Sequence, residues 1–261
     1  MKFMRLQIRW LFFVVFASVS LCGDLARASV FDFREGRFTA LELEGQILWQ
    51  GRNDARIPGD TGSRFSLRDV ISTPVGGLRV EPTYVISERH QLRGVFAPLT
   101  LEGTDRLTQS VRFQKTDFNA AIPVDASFKF NSYRLTYRYR FFDNKKWLVY
   151  GGLTAKVRDA HIKIRQGNSF EESTNVGFVP LLHAAASYRF LPELSAEFEA
   201  DALAAPQGRA EDLRIGLRWN IVPSGFSALL GYRLLEGGAD NSKVFTFALF
   251  HYGTLAVAYS I

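Results

Sequence analysis

The last nineteen residues, Lys243 to Ile261, alternate in polarity up to the final carboxylate. Phe245, Phe247, Leu249, Gly253, Leu255, Val257, Tyr259 and Ile261 fall on one face of an extended chain. Thr246, Ala248, Phe250, Tyr252, Thr254, Ala256, Ala258 and Ser260 fall on the other. Side chains alternate faces along a strand, so this is period two sustained well beyond an ordinary strand of about 5–6 residues. A strand that crosses a bilayer at a tilt takes about 9–11 residues, often with an extension beyond the lipid.

Nine earlier segments carry the same alternation: 37–50, 77–87, 91–101, 126–142, 147–164, 176–190, 194–203, 212–220 and 226–235. The fourth is the most regular, with Tyr133, Leu135, Tyr137, Tyr139 and Phe141 against Arg134, Thr136, Arg138 and Arg140. Its phase slips at Asn131-Ser132, which predicts a bulge there. Pro82 weakens the second, because proline removes a ladder donor. Four connections are short: 87–90, 143–146, 191–193 and 221–225. The other five are longer or more polar: 51–76, 102–125, 165–175, 204–211 and 236–242. Short and long alternate throughout, the asymmetry of periplasmic turns and external loops in a membrane barrel. The expected fold is an all-β, antiparallel, up-and-down transmembrane β-barrel of ten strands.

Phe38, Phe141, Trp147, Phe190, Trp219, Phe226 and Tyr259 all fall at the short-turn end of their strands. Amphipathic rings are stable at headgroup level, so these residues are expected to form a periplasmic aromatic girdle. The closing segment resembles the terminal strand of Gram-negative outer-membrane β-barrels. Leu255, Val257 and Tyr259 fit that pattern, while Ile261 stands where the family usually ends in Phe. The whole chain after its N-terminus is thus similar to small outer-membrane β-barrel proteins of Gram-negative bacteria. That resemblance implies outer-membrane localisation, contact with outer-membrane lipids and lipopolysaccharide, and insertion by the barrel-assembly machinery.

The N-terminus reads as a cleaved export signal. Lys2, Arg5 and Arg9 precede a short apolar run, Trp10 to Leu21, and Ala26-Arg27-Ala28 is a small-x-small cleavage site, so residues 1–28 are signal peptide and 29–261 one barrel domain. Cys22 follows Leu21, where a lipobox wants a small residue. Cleavage after Ala28 removes the single cysteine, and with it disulfide or cysteine–metal chemistry. Losing Lys2, Arg5, Arg9, Arg27 and Asp24 takes the 32 basic and 26 acidic residues to 28 and 25, a net charge of about +3. That balance is too small and scattered for a nucleic-acid partner.

Period two leaves open which face points inward. A soluble lipocalin-like barrel would bury Leu41, Tyr137 and Trp219, whereas a membrane barrel turns them to lipid. Long strands, turn asymmetry and aromatic strand ends favour the second. The lumen then carries Glu42, Glu44, Arg79, Glu81, Arg93, Arg134, Arg138, Arg140, Lys156, Arg158, Arg189, Glu197, Glu199, Asp201, Arg214, Arg218 and Arg233. Unpaired charges in a narrow lumen are costly, so a salt-bridge network is expected to fill it. A hairpin centred near Gln207 would set Asp201 opposite Arg214 and Glu197 opposite Arg218, and one near Pro192 would bring His183 to Asp201. Excess lumenal arginine would suit a narrow, anion-favouring pore.

Chemistry is sparse. Asp159 and His161 share a strand face just above the expected membrane stretch. This spacing, with the strand count, resembles the omptin outer-membrane proteases, and a rim hydrolase using Asp159 and His161 is the alternative to a non-enzymatic barrel. His183 and Ser187 lie about 13 Å apart on one strand, too far for proton transfer. Four scattered histidines and no mature cysteine point to no metal and no cofactor. The loops 208–212 and 236–241 place carboxylates beside glycines, as calcium sites and ordinary turns both do. Phe65, Leu67, Val70 and Ile71 could fold the first long loop over the barrel mouth as a lid.

Overall fold

The computed structural model describes residues 37–260 apart from 207, 222 and 223, with side chains from Thr39. The export signal, the Ser29 start, Cys22, the Phe38 side chain and Ile261 lie outside the described residues. Long strands follow one another: β1 (Arg37–Arg56), β3 (Val75–Ser87), β4 (His90–Ala97), β5 (Thr100–Asp105), β8 (Val124–Asp143), β9 (Trp147–Gln166), β10 (Ser169–Arg189), β11 (Leu194–Ala205), β12 (Gly208–Ile221), β13 (Phe226–Asp240) and β14 (Phe245–Ser260). Two-residue β2 (Phe65–Ser66), a 3-10 turn at Leu67–Asp69, and the hairpin β6 (Val111–Phe113) and β7 (Thr116–Phe118) lie in the first two long loops.

Every long strand pairs antiparallel with its chain neighbours, and β14 returns to pair with β1 from Ala40↔Ser260 to Arg56↔Phe245. β4 and β5 pair with β8 in one continuous register and form a single stave, interrupted at Pro98-Leu99 where proline cannot donate. β2 only hangs from the end of β1. The result is a closed, ten-stave, up-and-down barrel.

Closure with apolar side chains outward defines a transmembrane barrel. Leu182, Phe178, Leu230, Leu153 and Leu255 are 58–68 % exposed, while Arg79, Arg93, Arg134 and Arg233 are 6 % exposed or less. A lipocalin would show the reverse. On β14 the outward face from Tyr259 to Leu249, apolar but for His251 against the Tyr232 hydroxyl, is ten steps, about 34 Å along the strand. At a tilt of about 40° that is a band about 26 Å high, close to the ~25 Å expected.

Three of the five expected long loops are instead strand extensions closed by short turns. β9 and β10 stay paired to Gln166↔Ser169 around Gly167-Asn168, and β11–β12 and β13–β14 are likewise paired close to their tips. Gly167 takes φ +57°, a left-handed conformation that other residues adopt only at a cost. The polar composition of 165–175, 204–211 and 236–242 signals strand standing in water, not loop.

The slip at Asn131-Ser132 is not a bulge. β8 and β9 run in unbroken register through Asn131↔Asp159 and Ser132↔Arg158. What changes is the surroundings. Below that level, Ser132, Arg134 and Thr136 are buried in the lumen and Leu135 and Tyr137 face lipid. Above it the same inward face carries Val124, Ala126 and Phe128, and the outward face Asp125, Ser127 and Lys129. β9 switches likewise, from inward Thr154 and Lys156 to inward Ile162 and Ile164. The register shifts among the described strands fall between Phe38 and Ala40, Gln50 and Arg52, Val85 and Ser87, and Arg140 and Phe142.

Candidate functional site: the lumen and its rim

The lower lumen is filled by charge. Asp212 accepts from Arg134 Nη2 at 2.5 Å, Arg233 Nη1 at 2.8 Å and Arg79 Nη1 at 3.3 Å. Asp201 accepts from Arg134 Nη1 at 2.9 Å and Thr154 Oγ1 at 2.8 Å. Glu199 takes both terminal nitrogens of Arg93, with Arg138 at 3.1 Å and Arg214 at 3.4 Å. Glu81 joins Arg79 to Arg93, and Glu44 accepts from Arg214 at 3.1 Å and Arg233 at 3.0 Å. Glu42 accepts from Arg214 and Arg218 at 2.6 Å each, and Arg218 Nε reaches Glu197 at 2.6 Å. Among the described residues seven guanidiniums thus face seven carboxylates, drawn from β1, β3, β4, β8, β11, β12 and β13. The set is electrically balanced, as ions held away from water must be.

Four other expected lumen cations sit at its margins. Lys156 lies 5.0 Å from the Phe130 ring, Arg158 donates to Asn175 Oδ1, Arg140 pairs with Asp143 at 2.7 Å at the periplasmic end, and Arg189 closes β10 near the same end. The β11–β12 register differs by two residues from the expected one. Glu199 stands opposite Arg214 and Asp201 opposite Asp212, while Glu197 reaches Arg218 diagonally. Asp212, the first residue of the expected eighth strand, is absent from the expected lumen set, yet it lies buried at the centre of the network. Its place in the alternation, two before Arg214, was the available signal.

His183 lies directly opposite Asp201, with Nδ1 to Oδ1 at 2.7 Å. Arg138 Nε donates to His183 Nε2 at 3.1 Å, so that nitrogen accepts and Nδ1 carries the proton. His183, Glu199 and Asp201 bring an imidazole and two carboxylates together. Their lone pairs already hold Arg138, Arg93, Arg214, Arg134 and Thr154, an arrangement that serves packing before metal binding.

Below the network, a cavity of about 180 Å³ opens toward the periplasmic end, lined by Thr39, Gln91, Tyr150, Ser187, Ser195 and Asn220 among others. Above the network the lumen is apolar. The first loop turns inward and buries Ile57, Phe65, Leu67, Val70 and Ile71, and the second adds Leu107, Val111, Phe113 and Phe118. They meet Phe128, Ile162, Ile164 and Phe250 of the wall. Phe65 packs edge-on to Phe113 at 5.8 Å, and Phe128 to Phe250 at the same distance. Gln50 Nε2 donates to the Ile71 carbonyl at 3.0 Å, tying the loop to β1. Gly103 allows the close approach, since a Cβ there would overlap the Val70 carbonyl.

Asp159 and His161 stand on the outer wall of β9, above the apolar band. Asp159 pairs with Lys129 Nζ at 2.9 Å, and His161 Nε2 lies 3.3 Å from Ser127 Oγ. The hydrogen bond from Lys129 holds the Asp159 carboxyl below its ordinary range. Partial burial, with Lys163 and Lys129 nearby, lowers His161.

At the lower edge, Phe141, Trp147, Phe190, Trp219 and Phe226 are 38–66 % exposed, with Trp147 against Tyr188 and Phe226 against Tyr259 at 4.7 Å between centroids.

Fold, outward apolar band and charged interior together define the class: a small transmembrane β-barrel of the outer-membrane type. No protein-family model and no curated protein matches the sequence. Among solved structures the chain is similar to outer-membrane barrels of Gram-negative bacteria. The outer-membrane protease OmpT of Escherichia coli matches at 9 % identity over 86 % of this chain and 97 % of that one, TM-score 0.48. The attachment invasion locus protein Ail of Yersinia pestis matches at 10 % identity over 85 % and 99 %, TM-score 0.38. The toluene transporter TodX of Pseudomonas putida matches at 10 % over 87 % and 90 %, TM-score 0.37.

Proposed function

We propose that this chain is a non-enzymatic, integral outer-membrane barrel whose lumen is shut at rest, serving as a structural barrel and not as an open pore. The observation that carries the reading is the double seal: seven balanced ion pairs in the lower lumen and an apolar cap of two inward loops above them. A continuous water path would need both to part. The closing strand β14 would be the segment offered to the barrel-assembly machinery.

The rim-hydrolase reading has less behind it. Asp159 is held by Lys129, and neither it nor His161 lines the two lumenal cavities. Cell fractionation with heat-modifiable gel mobility tests the membrane assignment, and a protein stable in buffer without detergent would overturn it. Planar-bilayer recording tests the closed state. The expected trace is silent, and stable anion-preferring channels would replace this reading with the pore. Loss of proteolysis or lipid-A processing on replacing Asp159 and His161 with alanine would restore the hydrolase.

A further inference from the structure

Just above the apolar band, on the outer wall spanning β1, β14, β13 and β12, four arginines surround two phenylalanines. The Phe245 and Phe247 rings lie 5.3 Å apart. The guanidinium carbon of Arg52 stands 4.9 Å from the Phe247 centroid, those of Arg56 and Arg64 stand 5.2 and 4.9 Å from Phe245, and that of Arg209 stands 5.9 Å from Phe247. The bulge after Gln50 turns Arg52, Asp54 and Arg56 outward, where the phase of the lower strand would have pointed them into the lumen.

The carboxylates around the cluster are Asp54, Glu211, Glu236 and Asp240. Asp54 is shared by Arg52 at 2.9 Å and Arg64 at 2.7 Å, and Glu236 is taken by Arg209. Glu211 stands opposite Glu236 across β12–β13. Arg56 is the under-served member: its nearest carboxylate is the exposed Asp240 at 3.9 Å, and its Nε is buried with no hydrogen-bond partner. Stacked guanidiniums keep their N–H edges free for a bidentate acceptor, and phosphate is the acceptor that fork geometry suits. Directly below lie Trp49, Leu249 and Tyr232 on the outward face, with His251 against the Tyr232 hydroxyl, and Leu255 lies farther down the same face. A ligand for the whole surface carries phosphate above and acyl chains beneath.

We infer that this wall is a binding site for the phosphorylated, acylated sugar of lipopolysaccharide, lipid A, with Arg56 and Arg209 holding its phosphate. The inference rests on the membrane reading, and names which wall the outer-leaflet lipid occupies.

The test is native mass spectrometry of the detergent-purified full chain with bis-phosphorylated lipid A in EDTA, against phosphatidylglycerol as the competing anion. Wild type should retain lipid A in preference to phosphatidylglycerol. Arg56→Ala with Arg209→Ala should weaken retention at least tenfold while heat-modifiability is kept, and Arg56→Lys with Arg209→Lys should fall between. Lys163→Ala, on the β9 wall, should retain lipid A like wild type. Equal retention by the double alanine variant, or equal retention of both lipids by wild type, would overturn the site while leaving the barrel in the membrane. If the alanine pair fails to fold, the lysine pair decides alone, and wild-type-like retention by it counts against the site. Loss of detergent dependence would instead strike the membrane reading itself.

Discussion

The two halves of the lumen solve one packing problem in opposite ways. The lower half, within the membrane band, has lipid outside and buries ions; the upper half, above it, has water outside and buries Phe113, Phe118, Phe250 and their neighbours. In each, the outward face is fixed by its solvent, and the inward face takes what remains. The lower half can hold its ions because seven guanidiniums meet seven carboxylates there. The upper half behaves like a soluble β-barrel core, held by area removed from water. The same strands, β8 and β9, serve both without changing register.

That contrast can be broken most severely at Asp212. Asp212→Ala leaves Arg79, Arg134 and Arg233 short of a shared partner and should cost about 3–5 kcal/mol, the range for stripping one member from a buried pair. Urea unfolding in detergent reads it, and a cost below about 1 kcal/mol would mean the lower half is hydrated rather than sealed. Phe113→Ala should cost about 3 kcal/mol in the cap, read as faster proteolysis within 106–123 with heat-modifiable mobility kept. Global loss of the barrel would show that the halves are one cooperative unit. Excising residues 58–73 should leave bilayer recordings silent, because the ion pairs still close the lumen. Channels from that deletion alone would assign the seal to the cap.

The smallest expected effect is at His161, whose proton affinity is lowered in the fold. A depressed histidine contributes stability that is present above its unfolded value of about 6.5 and declines as pH falls below it. Unfolding midpoints should therefore drop slightly from pH 7 to pH 5, and His161→Gln should flatten that slope.

Much of this was legible beforehand because a membrane barrel writes its two solvents onto alternate residues. Leu135 and Tyr137 against Arg134 and Arg138 declare one face wet and one dry, and ten such segments imply closure. What alternation cannot separate is a backbone slip from a change of solvent. Val124, Ala126 and Phe128 continue the inward phase of Arg134, yet they read as its interruption. The polar residues of 165–175 suggested a loop for the same reason, since strand above the membrane carries the composition of a turn. Pair identities also escaped. Period two fixes the face of Glu199 and Asp212, but a two-residue change in hairpin register reassigns which arginine each meets.

The extension of β9 and β10 beyond the lipid has a practical corollary. From Val157 to Gly167 is ten steps, so the tip stands about 25 Å clear of the bilayer once tilt is counted. A foreign epitope grafted between Gly167 and Asn168 would ride at the end of a two-stranded mast, braced on one side by the second long loop through Gln166 to the Asn119 and Ile122 carbonyls, and open to antibodies on intact cells.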